Sequence, residues 1–585
     1  MEKKEIHILE DRIEREFLPF VRQPGRYIGG EVNQVKKDLS SCDVRVALCF
    51  PDVYEIGMSH TGISLIYHVI NSMDDAAGER VFSPWVDAEE VLRDKSIPLF
   101  SLESKAAVGD FDMVAFSLNS ELCYTTVLNM LDLAGLAVRC EDRSESDPLV
   151  IGGGVTANCA EPVADFFDMI ILGDGEEAAA EVISLFRKCR DLSKQEFLLA
   201  AARELEFVYV PWLYEVTYDG DKISSFTSKA EGVSVRRKNA VVADLDSAPV
   251  PERPIVPFVQ AVHERVSIEI MRGCPGRCRF CQASFCKRPI RFRSVDTIVD
   301  IAKKQYHATG FDTVSLLSLS TGDYPYLEEL VIRLQEYFTQ RHVGISLPSL
   351  KVKEQLAILP KLVSAVRKSG LTIAVEAASE RLRKTINKPI TNEELFAGVE
   401  AAYAAGYKRV KLYFMVGFPG ETREDIEGIF ELAYIIARLG RKVNNQTANV
   451  TAAVSWLVPK AHTPFGWYGQ KEREYFEEAK EIILFEKRKR RANFLSFKFH
   501  DIDGSILESA MGRGDRRLGA IIERAWRKGA RLDLWSEMFD YGRWAEAFEE
   551  EGLSADAAAQ KSFGEDDTLP WEHLGGPEKE RLWNV

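Results

Sequence analysis

The chain has 585 residues, too many for one ordinary domain, and with 46% hydrophobic and 28% charged residues it can bury several globular cores. Its net charge of −15 argues against a protein that coats nucleic acid through bulk positive charge. The charged N-terminus predicts no signal peptide, and no apolar stretch reaches about 18 residues, so we expect a cytoplasmic protein without membrane insertion.

The N-terminal part of the chain alternates short apolar runs with helical patterns. Each run has the length of a buried strand and ends in a polar or glycine-rich turn that leads into a helix. This alternation predicts a parallel, doubly wound α/β sheet in a first domain over residues 1–205, which includes an N-terminal extension. The predicted strands are 44–50, 112–118, 148–154 and the start of 168–186.

Small residues follow these predicted strands. Ligands of doubly wound sheets bind at the carboxyl ends of the strands, and only glycine lets the backbone approach a bulky ligand closely. Tight turns between strand and helix explain the same glycines equally well, so the pattern alone leaves both interpretations open. The candidate binding residues are Ser117, Gly152, Gly153, Gly154, Gly173 and Gly175.

Residues 206–260 have a different pattern. Apolar and polar residues alternate on both sides of an Asp-Gly turn in "LYEVTYDGDKI", which predicts a small antiparallel hairpin. Four prolines then indicate an extended connector and a domain boundary. They are Pro249, Pro251, Pro254 and Pro257.

A second α/β series follows over residues 261–470. Six strand-helix repeats fall short of the eight that close a complete barrel, so we predict a partial (βα)6 barrel. The remaining residues, 471–585, are predicted to be mainly helical. The predicted barrel strands are 266–271, 313–320, 343–348, 371–377, 409–417 and 450–458.

Three cysteines lie directly after the first of these strands. Cys274, Cys278 and Cys281 have the spacing C-x3-C-x2-C, and three thiolates can hold a four-iron, four-sulfur cluster with one iron open to a ligand. Zinc is the alternative, and it would need a fourth ligand such as Cys286 or His263. The other cysteines are scattered singly, which indicates a reducing compartment and no disulfide framework.

The cysteine triplet, with Phe280 before its last cysteine and a partial barrel around it, resembles the radical S-adenosylmethionine (radical SAM) superfamily over about residues 260–470. The resemblance implies that the open iron binds S-adenosylmethionine. It also implies a reductive cleavage to a 5′-deoxyadenosyl radical and a reducing partner such as flavodoxin or ferredoxin.

The same resemblance implies a pocket for S-adenosylmethionine at the strand ends. "STGDY" follows the second strand, Glu376 ends the fourth, and "YFMVGFPGET" resembles the element beside adenine. Arg381 or Arg383 would meet the carboxylate as a bidentate pair. The implied residues are Ser320, Thr321, Asp323, Glu376, Arg381, Gly417 and Gly420.

The first domain resembles the Rossmann-like cobalamin (vitamin B12)-binding domain that is fused to many radical SAM enzymes. "FPDVYEIGMS", "GGGVTANCAEP" and "ILGDGEEA" are similar to its loops, and the resemblance implies cobalamin as a further cofactor. The D-x-H-x-x-G motif that supplies a histidine to cobalt is absent. His60 does not replace it, since Gly62 follows only two residues later.

Four further stretches are "INKPIT", "VPKAHTPF", "GDRRLGAIIERAWRKGARLD" and "LPWEHL". With them, the chain resembles over its whole length an uncharacterised bacterial group of radical SAM proteins, and three function classes remain open. The first is an enzyme of cobalamin-dependent methyl transfer, or related radical chemistry, on an unactivated carbon. The second is radical modification of RNA without cobalamin, as in methylthiotransferases, which usually need three further cysteines. Cys42, Cys49 and Cys123 have weak spacing for that role. The third is a non-catalytic iron–sulfur sensor.

Two features of the C-terminal third also have two interpretations each. His462 and Trp467 follow the sixth predicted strand and either line a substrate pocket or serve the structure. The basic run 486–494 is either a solvated helix face or a site for phosphate or RNA, although RNA is not indicated by the overall charge.

Overall fold

The computed structural model describes residues 4–347 and 371–584. It confirms the predicted α/β class, because parallel sheets with intervening helices form both the first domain and the barrel. The first sheet has six strands in the order β2-β1-β3-β4-β5-β6, and only β6 runs antiparallel to its neighbour. Its strands are β1 Val44–Phe50, β2 Ala76–Phe82, β3 Met113–Ser117, β4 Leu149–Gly153, β5 Met169–Ile171 and β6 Val208–Tyr209.

Strand β2 is present although the sequence did not predict it. Its letters, "AAGERVF", include a glycine and two charged residues, yet every residue of the strand is buried. Arg80 is accommodated inside because its Nε donates to Glu103 Oε1 at 2.6 Å and its Nη2 to Glu31 Oε2 at 2.9 Å. Paired charges can be buried at an edge strand, and a pattern of apolar residues cannot reveal them.

Helices cover both faces of this sheet. Helices α3 and α6 pack against each other, and α5 packs against a helix of the C-terminal region. Since both faces are covered, the parallel strands are nearly continuous apolar runs. The helices are α1 Glu10–Arg12, α2 Tyr54–Gly57, α3 Thr61–Asn71, α4 Val86–Asp94, α5 Tyr124–Leu133, α6 Gly175–Lys188 and α7 Lys194–Glu204.

The predicted hairpin is present as β7 Tyr214–Asp219 and β8 Lys222–Ser228. Gly220 takes a φ of +61° at its turn, a conformation that glycine adopts without strain. The connector that follows leads into the barrel.

The six predicted barrel strands occur in the predicted order within two parallel sheets, β13-β12-β9 and β14-β15-β16-β17. Pro348, the last residue of the predicted third strand, lies outside the described residues. A short antiparallel pair, β10 and β11, follows the first strand. The strands are β9 Val266–Glu269, β10 Met271–Arg272, β11 Arg291–Phe292, β12 Thr313–Leu317, β13 Gly344–Ser346, β14 Leu371–Glu376, β15 Arg409–Val416, β16 Asn449–Trp456 and β17 Leu495–Phe499.

Strand β17 was not predicted, because "LSFKF" is short and follows a strongly charged helix. It extends the second sheet by pairing in parallel with β16. The helices of this part are α8 Gln282–Cys286, α9 Val295–Thr309, α10 Leu327–Phe338, α11 Glu380–Thr385, α12 Asn392–Ala404, α13 Arg423–Asn444 and α14 Arg473–Lys489.

The C-terminal residues fold back on the first domain and share its core. Leu507, Ile522 and Trp544 belong to the same buried cluster as the strands of the first sheet. This packing explains why the region is rich in large apolar residues between its charges. Its helices are α15 Ile502–Gly512, α16 Leu518–Arg527, α17 Tyr541–Glu550, α18 Ala555–Gln560 and α19 Lys579–Trp583.

A buried polar cluster joins this region to the first domain. Glu161 accepts hydrogen bonds from Arg516 Nε at 3.0 Å and lies 3.1 Å from His573 Nε2. Burial opposes ionisation, but the hydrogen bond with His573 and the charge of Arg516 lower the pKa of Glu161 to about 2. Arg516 and His573 therefore serve the domain contact. In the described part of the chain, helices with the length and hydropathy of a membrane span are absent.

Candidate active site and inter-domain cavity

The cysteine loop lies between β10 and α8. Gly273 opens it with a φ of +91°, and a Cβ at this position would lie 2.5 Å from the carbonyl oxygen of Lys287, so only glycine fits. Arg288 Nη2 donates to the carbonyl oxygens of Cys274 and Gly276, both at 3.2 Å. Arg288 thus holds the loop through its backbone carbonyl groups. The thiol side chains are not needed to hold the loop in place.

Two of the thiols lie beside Gly276, in the middle of this loop. A Cβ at Gly276 would lie 3.3 Å from Cys274 Sγ and 4.0 Å from Cys278 Sγ. Burial raises the pKa of Cys278 to about 11; the charge of Lys388 opposes this rise, and the neighbouring Cys281 and Cys274 add to it. Each of the three thiols is partly exposed and none is in a disulfide.

The donor set fits an iron–sulfur cluster. Across residues 4–347 and 371–584, no three His, Cys, Asp or Glu side chains surround one point as the ligands of a single ion do. A cluster makes no such demand, because each thiolate binds a different iron. Adding a side chain at Gly276 would crowd the space beside Cys274 and Cys278, so the glycine keeps that space open.

Glu376 lies beside the cysteine loop in a strained conformation. It ends β14 with a φ of +68°, at an irregularity in the pairing of β14 with β15. Lys388 Nζ donates to its Oε1 at 2.8 Å, and Glu376 is close enough to Cys278 to influence the pKa of that thiol. A non-glycine residue with positive φ at a strand end is typical of a functional position.

The other predicted residues of the S-adenosylmethionine pocket have mixed environments. Ser320 and Thr321 are buried in the turn after β12, which also holds Asp323. Arg381 forms an ion pair with Asp425 and donates a hydrogen bond to the carbonyl oxygen of Gly420 at 3.1 Å. Its predicted contact with a ligand carboxylate would require that ion pair to open.

Arg383, the alternative to Arg381, is fully buried. Its guanidinium donates to the carbonyl oxygens of Ala378 at 3.2 Å and Ile390 at 2.6 Å. Arg383 therefore fastens the chain segments around helix α11.

Sequence reasoning missed a buried carboxyl group at the end of β15. Gly417, with a φ of +111°, donates its N–H to Glu421 Oε2 at 2.7 Å, and Tyr475 donates its hydroxyl to the same oxygen at 2.7 Å. Burial raises the pKa of Glu421 to about 7. The signal in the sequence was the acidic residue Glu421, directly after "GFPG". Its carboxylate fixes the turn that contains Gly417 and Gly420.

A cavity of about 660 Å³ separates the first sheet from the start of the barrel. On the barrel side it is bordered by β9 and by the first residue of the cysteine loop, Gly273. On the other side it is bordered by the strand ends of the first sheet. The structure brings together there all the residues predicted at those ends, namely Ser117, Gly152, Gly153, Gly154, Gly173 and Gly175.

The glycines at this cavity differ in what a side chain at each position would contact. A Cβ at Gly173 would lie 2.3 Å from the carbonyl oxygen of Ala240, and one at Gly154 would lie 2.7 Å from that of Leu118, so both are required by the protein's own backbone. A Cβ at Gly153 would meet nothing nearer than the Ile171 carbonyl oxygen at 3.7 Å. Only Gly153 therefore keeps space free without a folding constraint.

Ion pairs join the glycine turn of the first domain to the cysteine loop. Arg272, two residues before Cys274, contacts Glu176 at 2.5 Å and Asp174 at 3.2 Å. Arg291 contacts the second oxygen of Asp174 at 2.6 Å. All these groups are largely buried, and such pairs have one preferred geometry, so the cavity wall and the cluster loop have a fixed relative position.

Of the three histidines considered in the sequence analysis, two line the cavity and one does not. His60 lines the cavity, and its Nδ1 accepts a 3.4 Å hydrogen bond from the Ile63 N–H, which caps α3. His263 also lines the cavity. His462 is buried, with its Nε2 2.8 Å from the carbonyl oxygen of Asn158, and burial lowers its pKa to about 4. His462 is thus part of a domain contact.

Several remaining candidates have structural roles. Trp467 is buried and packs edge-on against Trp583. In the basic run, Arg488 pairs with Glu481, Lys489 with Glu486 and Arg490 with Glu431, which favours a solvated, charge-paired face. Cys49 and Cys123 are buried in separate elements, and burial raises the pKa of both thiols.

Comparison with known proteins gives two family matches. Residues 62–211 match the family described as "Radical SAM proteins, N-terminal", and residues 268–433 match the radical SAM superfamily. An uncharacterized protein of Methanocaldococcus jannaschii is 26% identical over 486 residues, 82% of this chain and 90% of that protein.

Two further similarities are more limited. The ribosomal protein uS12 methylthiotransferase RimO of Desulfotalea psychrophila is 28% identical over 195 residues, 32% of this chain and 43% of that protein. The solved structure of the cobalamin-dependent S-adenosylmethionine radical enzyme OxsB has 13% identity and a TM-score of 0.48, covering 83% of this chain and 66% of that one.

Proposed function

We propose that this radical SAM protein is a cobalamin-dependent enzyme that transfers a methyl group to an unactivated carbon of its substrate. The radical SAM superfamily uses a four-iron, four-sulfur cluster and S-adenosylmethionine. The observation that carries the finer proposal is the cavity between the two domains, which is bordered both by the glycine turns and by the cysteine loop.

The lining of the cavity suits a broad cofactor with an apolar face. Ile66, Phe116 and Val182 contribute apolar surface, while the glycine turns supply backbone N–H and C=O groups. Ligand sites of this kind combine an apolar lining with a few placed polar groups. A cofactor held there would lie at the carboxyl ends of the strands, where doubly wound sheets bind their ligands.

The site would have two parts, one that holds the cluster with S-adenosylmethionine and one that holds the corrinoid. When bound, the cluster supplies the electron that cleaves S-adenosylmethionine, and a corrinoid would carry the methyl group. The thiols of Cys274, Cys278 and Cys281 would hold the cluster, and Glu376 would orient S-adenosylmethionine beside it. The ion pairs of Arg272 would keep both cofactors at a constant separation.

Corrinoid content tests the proposed function. Protein purified without oxygen from cells grown with cobalamin should carry about one corrinoid per chain, because the cavity is preformed and lined by residues of both domains. Absorbance and mass spectrometry of the released cofactor measure this directly. A wild-type protein that stays empty under these conditions would refute cobalamin-dependent methyl transfer.

S-Adenosylmethionine affinity tests the role of Glu376. Glu376→Gln keeps the size of the side chain but removes its charge, so we expect the Kd for S-adenosylmethionine to rise about 10-fold while the iron content stays constant. Equilibrium binding to the reconstituted protein measures the change. Glu393→Gln, at an exposed acid in the next helix, is the matched control. Equal affinity in the Glu376 and control variants would remove Glu376 from the pocket.

Methylthiotransferase chemistry is the second candidate, favoured by the similarity to the uS12 enzyme. It is distinguished by iron content, because such enzymes usually hold a second cluster. About four iron atoms per chain support the methyl transfer proposal, and about eight support the alternative. A reducing partner of the flavodoxin or ferredoxin type is proposed for either reaction.

A further inference from the structure

Arg293 lies on the barrel side of the inter-domain cavity and is only 4% exposed. Its backbone is fixed on both sides. The N–H donates to the carbonyl oxygen of Ile270 at 2.9 Å, and the carbonyl oxygen accepts from the hydroxyl of Tyr324 at 2.7 Å. The side chain therefore starts from a rigid position beside the end of strand β9.

The guanidinium group of Arg293 is incompletely satisfied. Its Nε donates to the carbonyl oxygen of Glu269 at 3.2 Å, but its Nη1 is buried and has no hydrogen-bond partner among the residues that the structure describes. Within the described ranges, no carboxylate oxygen lies within 4 Å of it. Arg272, which borders the same cavity, contrasts with this because Glu176 and Glu269 lie close to its guanidinium group.

A buried guanidinium without a counter-charge is costly. Arginine stays protonated in proteins, so it cannot relieve the burial by losing its proton. Burial lowers the pKa of Arg293, while the charges of Glu269 and Asp246 oppose this change from beyond contact distance. The usual solution is an anion in direct contact, and the open space beside Arg293 is the cavity.

We propose that Arg293 binds an oxyanion, a phosphate or a carboxylate, of a molecule held in the inter-domain cavity. The proposal rests on the cavity being a cofactor site, as argued above. A planar guanidinium matches both anions through paired N–H donors. The two cofactors offer two sources of this chemistry, the phosphodiester of the cobalamin nucleotide and the carboxylate of S-adenosylmethionine.

Four probes distinguish the sources. Hydroxocobalamin carries the nucleotide phosphate and dicyanocobinamide lacks it, while S-adenosylmethionine carries the carboxylate and its decarboxylated form lacks it. The Kd of each probe is measured with the reconstituted full-length wild type and with Arg293→Gln. We expect the variant to bind one of the two anion-bearing probes about 10- to 100-fold more weakly, and to bind the matching anion-free probe as the wild type does.

Two further variants keep the test decisive. Arg293→Lys retains the charge but not the paired donors, so it should lose part of the affinity, and it replaces the glutamine variant if that one does not fold. Arg513→Gln removes another buried arginine, which donates to carbonyl oxygens away from the cavity, and should leave all four affinities unchanged.

The outcomes separate this proposal from the proposed function. If the folded Arg293 variants bind all four probes like the wild type, Arg293 is not an anion site. If the wild type binds neither corrinoid, cobalamin-dependent methyl transfer fails, and the S-adenosylmethionine pair alone decides the role of Arg293. A loss that is equal for a probe and its anion-free partner also overturns the proposal, because it reports general damage to the cavity.

Discussion

Replacing any one of Cys274, Cys278 and Cys281 with alanine is expected to reduce the iron content of the reconstituted protein from about four atoms per chain to near zero. Formation of 5′-deoxyadenosine from S-adenosylmethionine and a strong reductant should disappear with it. The reason is that Cys278 lies near both Cys274 and Cys281, on a loop whose backbone is held by Arg288. Losing one thiolate leaves an iron without its ligand.

Cys286→Ala is the matched control, because this cysteine ends the helix that directly follows the loop. Iron content and 5′-deoxyadenosine formation should be those of the wild type. Loss of metal in the Cys286 variant would instead support zinc with four thiolates. Unchanged iron in a variant lacking all three cysteines would refute the cluster assignment.

Much of the architecture could be predicted because apolar strands in alternation with helices have few alternatives. Strand β1 has the predicted bounds, and the barrel strands lie within a few residues of theirs. Strand β2 could not be predicted because the buried charge of Arg80 is neutralised by Glu103 and Glu31, which are distant in sequence. Strand β17 depends on pairing with β16 and has no strong pattern of its own.

The candidate site was predictable in its residue types and less so in its contacts. Glycines after the strands of the first sheet fitted either a ligand-facing edge or tight turns, and the predicted ones of that sheet all border one cavity. Their individual roles could not be predicted, since the need for glycine at position 173 comes from Ala240, far along the chain. Arg381 was identified by its place after β14, but its pairing with Asp425 is a tertiary contact that no local pattern contains.

The roles of Arg516, His573 and His462 are visible only in three dimensions. Arg516 and His573 both contact Glu161 of the first domain, and His462 contacts the backbone of Asn158. These side chains connect the barrel and the C-terminal region to the domain that forms one wall of the cavity. The partners in these contacts are more than 300 residues apart in sequence, so no local pattern indicates that these side chains connect the domains.

Gly153→Val is expected to abolish corrinoid binding while it leaves the protein folded and the cluster intact. Gly153 ends β4 without a positive φ, so a β-branched residue suits its backbone, and its Cβ would meet nothing nearer than 3.7 Å. The added methyl groups would instead occupy the cavity between the glycine turns and β9. A preformed pocket that loses space at the point of closest approach loses its ligand.

Two other glycine variants show whether the effect is specific. Gly344→Val adds the same side chain to strand β13, where the nearest atom would be the Asp312 carbonyl oxygen at 3.8 Å, and it should bind corrinoid normally. Gly173→Val should unfold the first domain, because its Cβ would overlap the Ala240 backbone at a φ of +96°. Corrinoid content, iron content and thermal unfolding are measured on all three. Normal corrinoid binding by a folded Gly153→Val protein would mean that the cofactor does not lie against the β4 turn, since a valine there cannot be accommodated beside a ligand in close backbone contact.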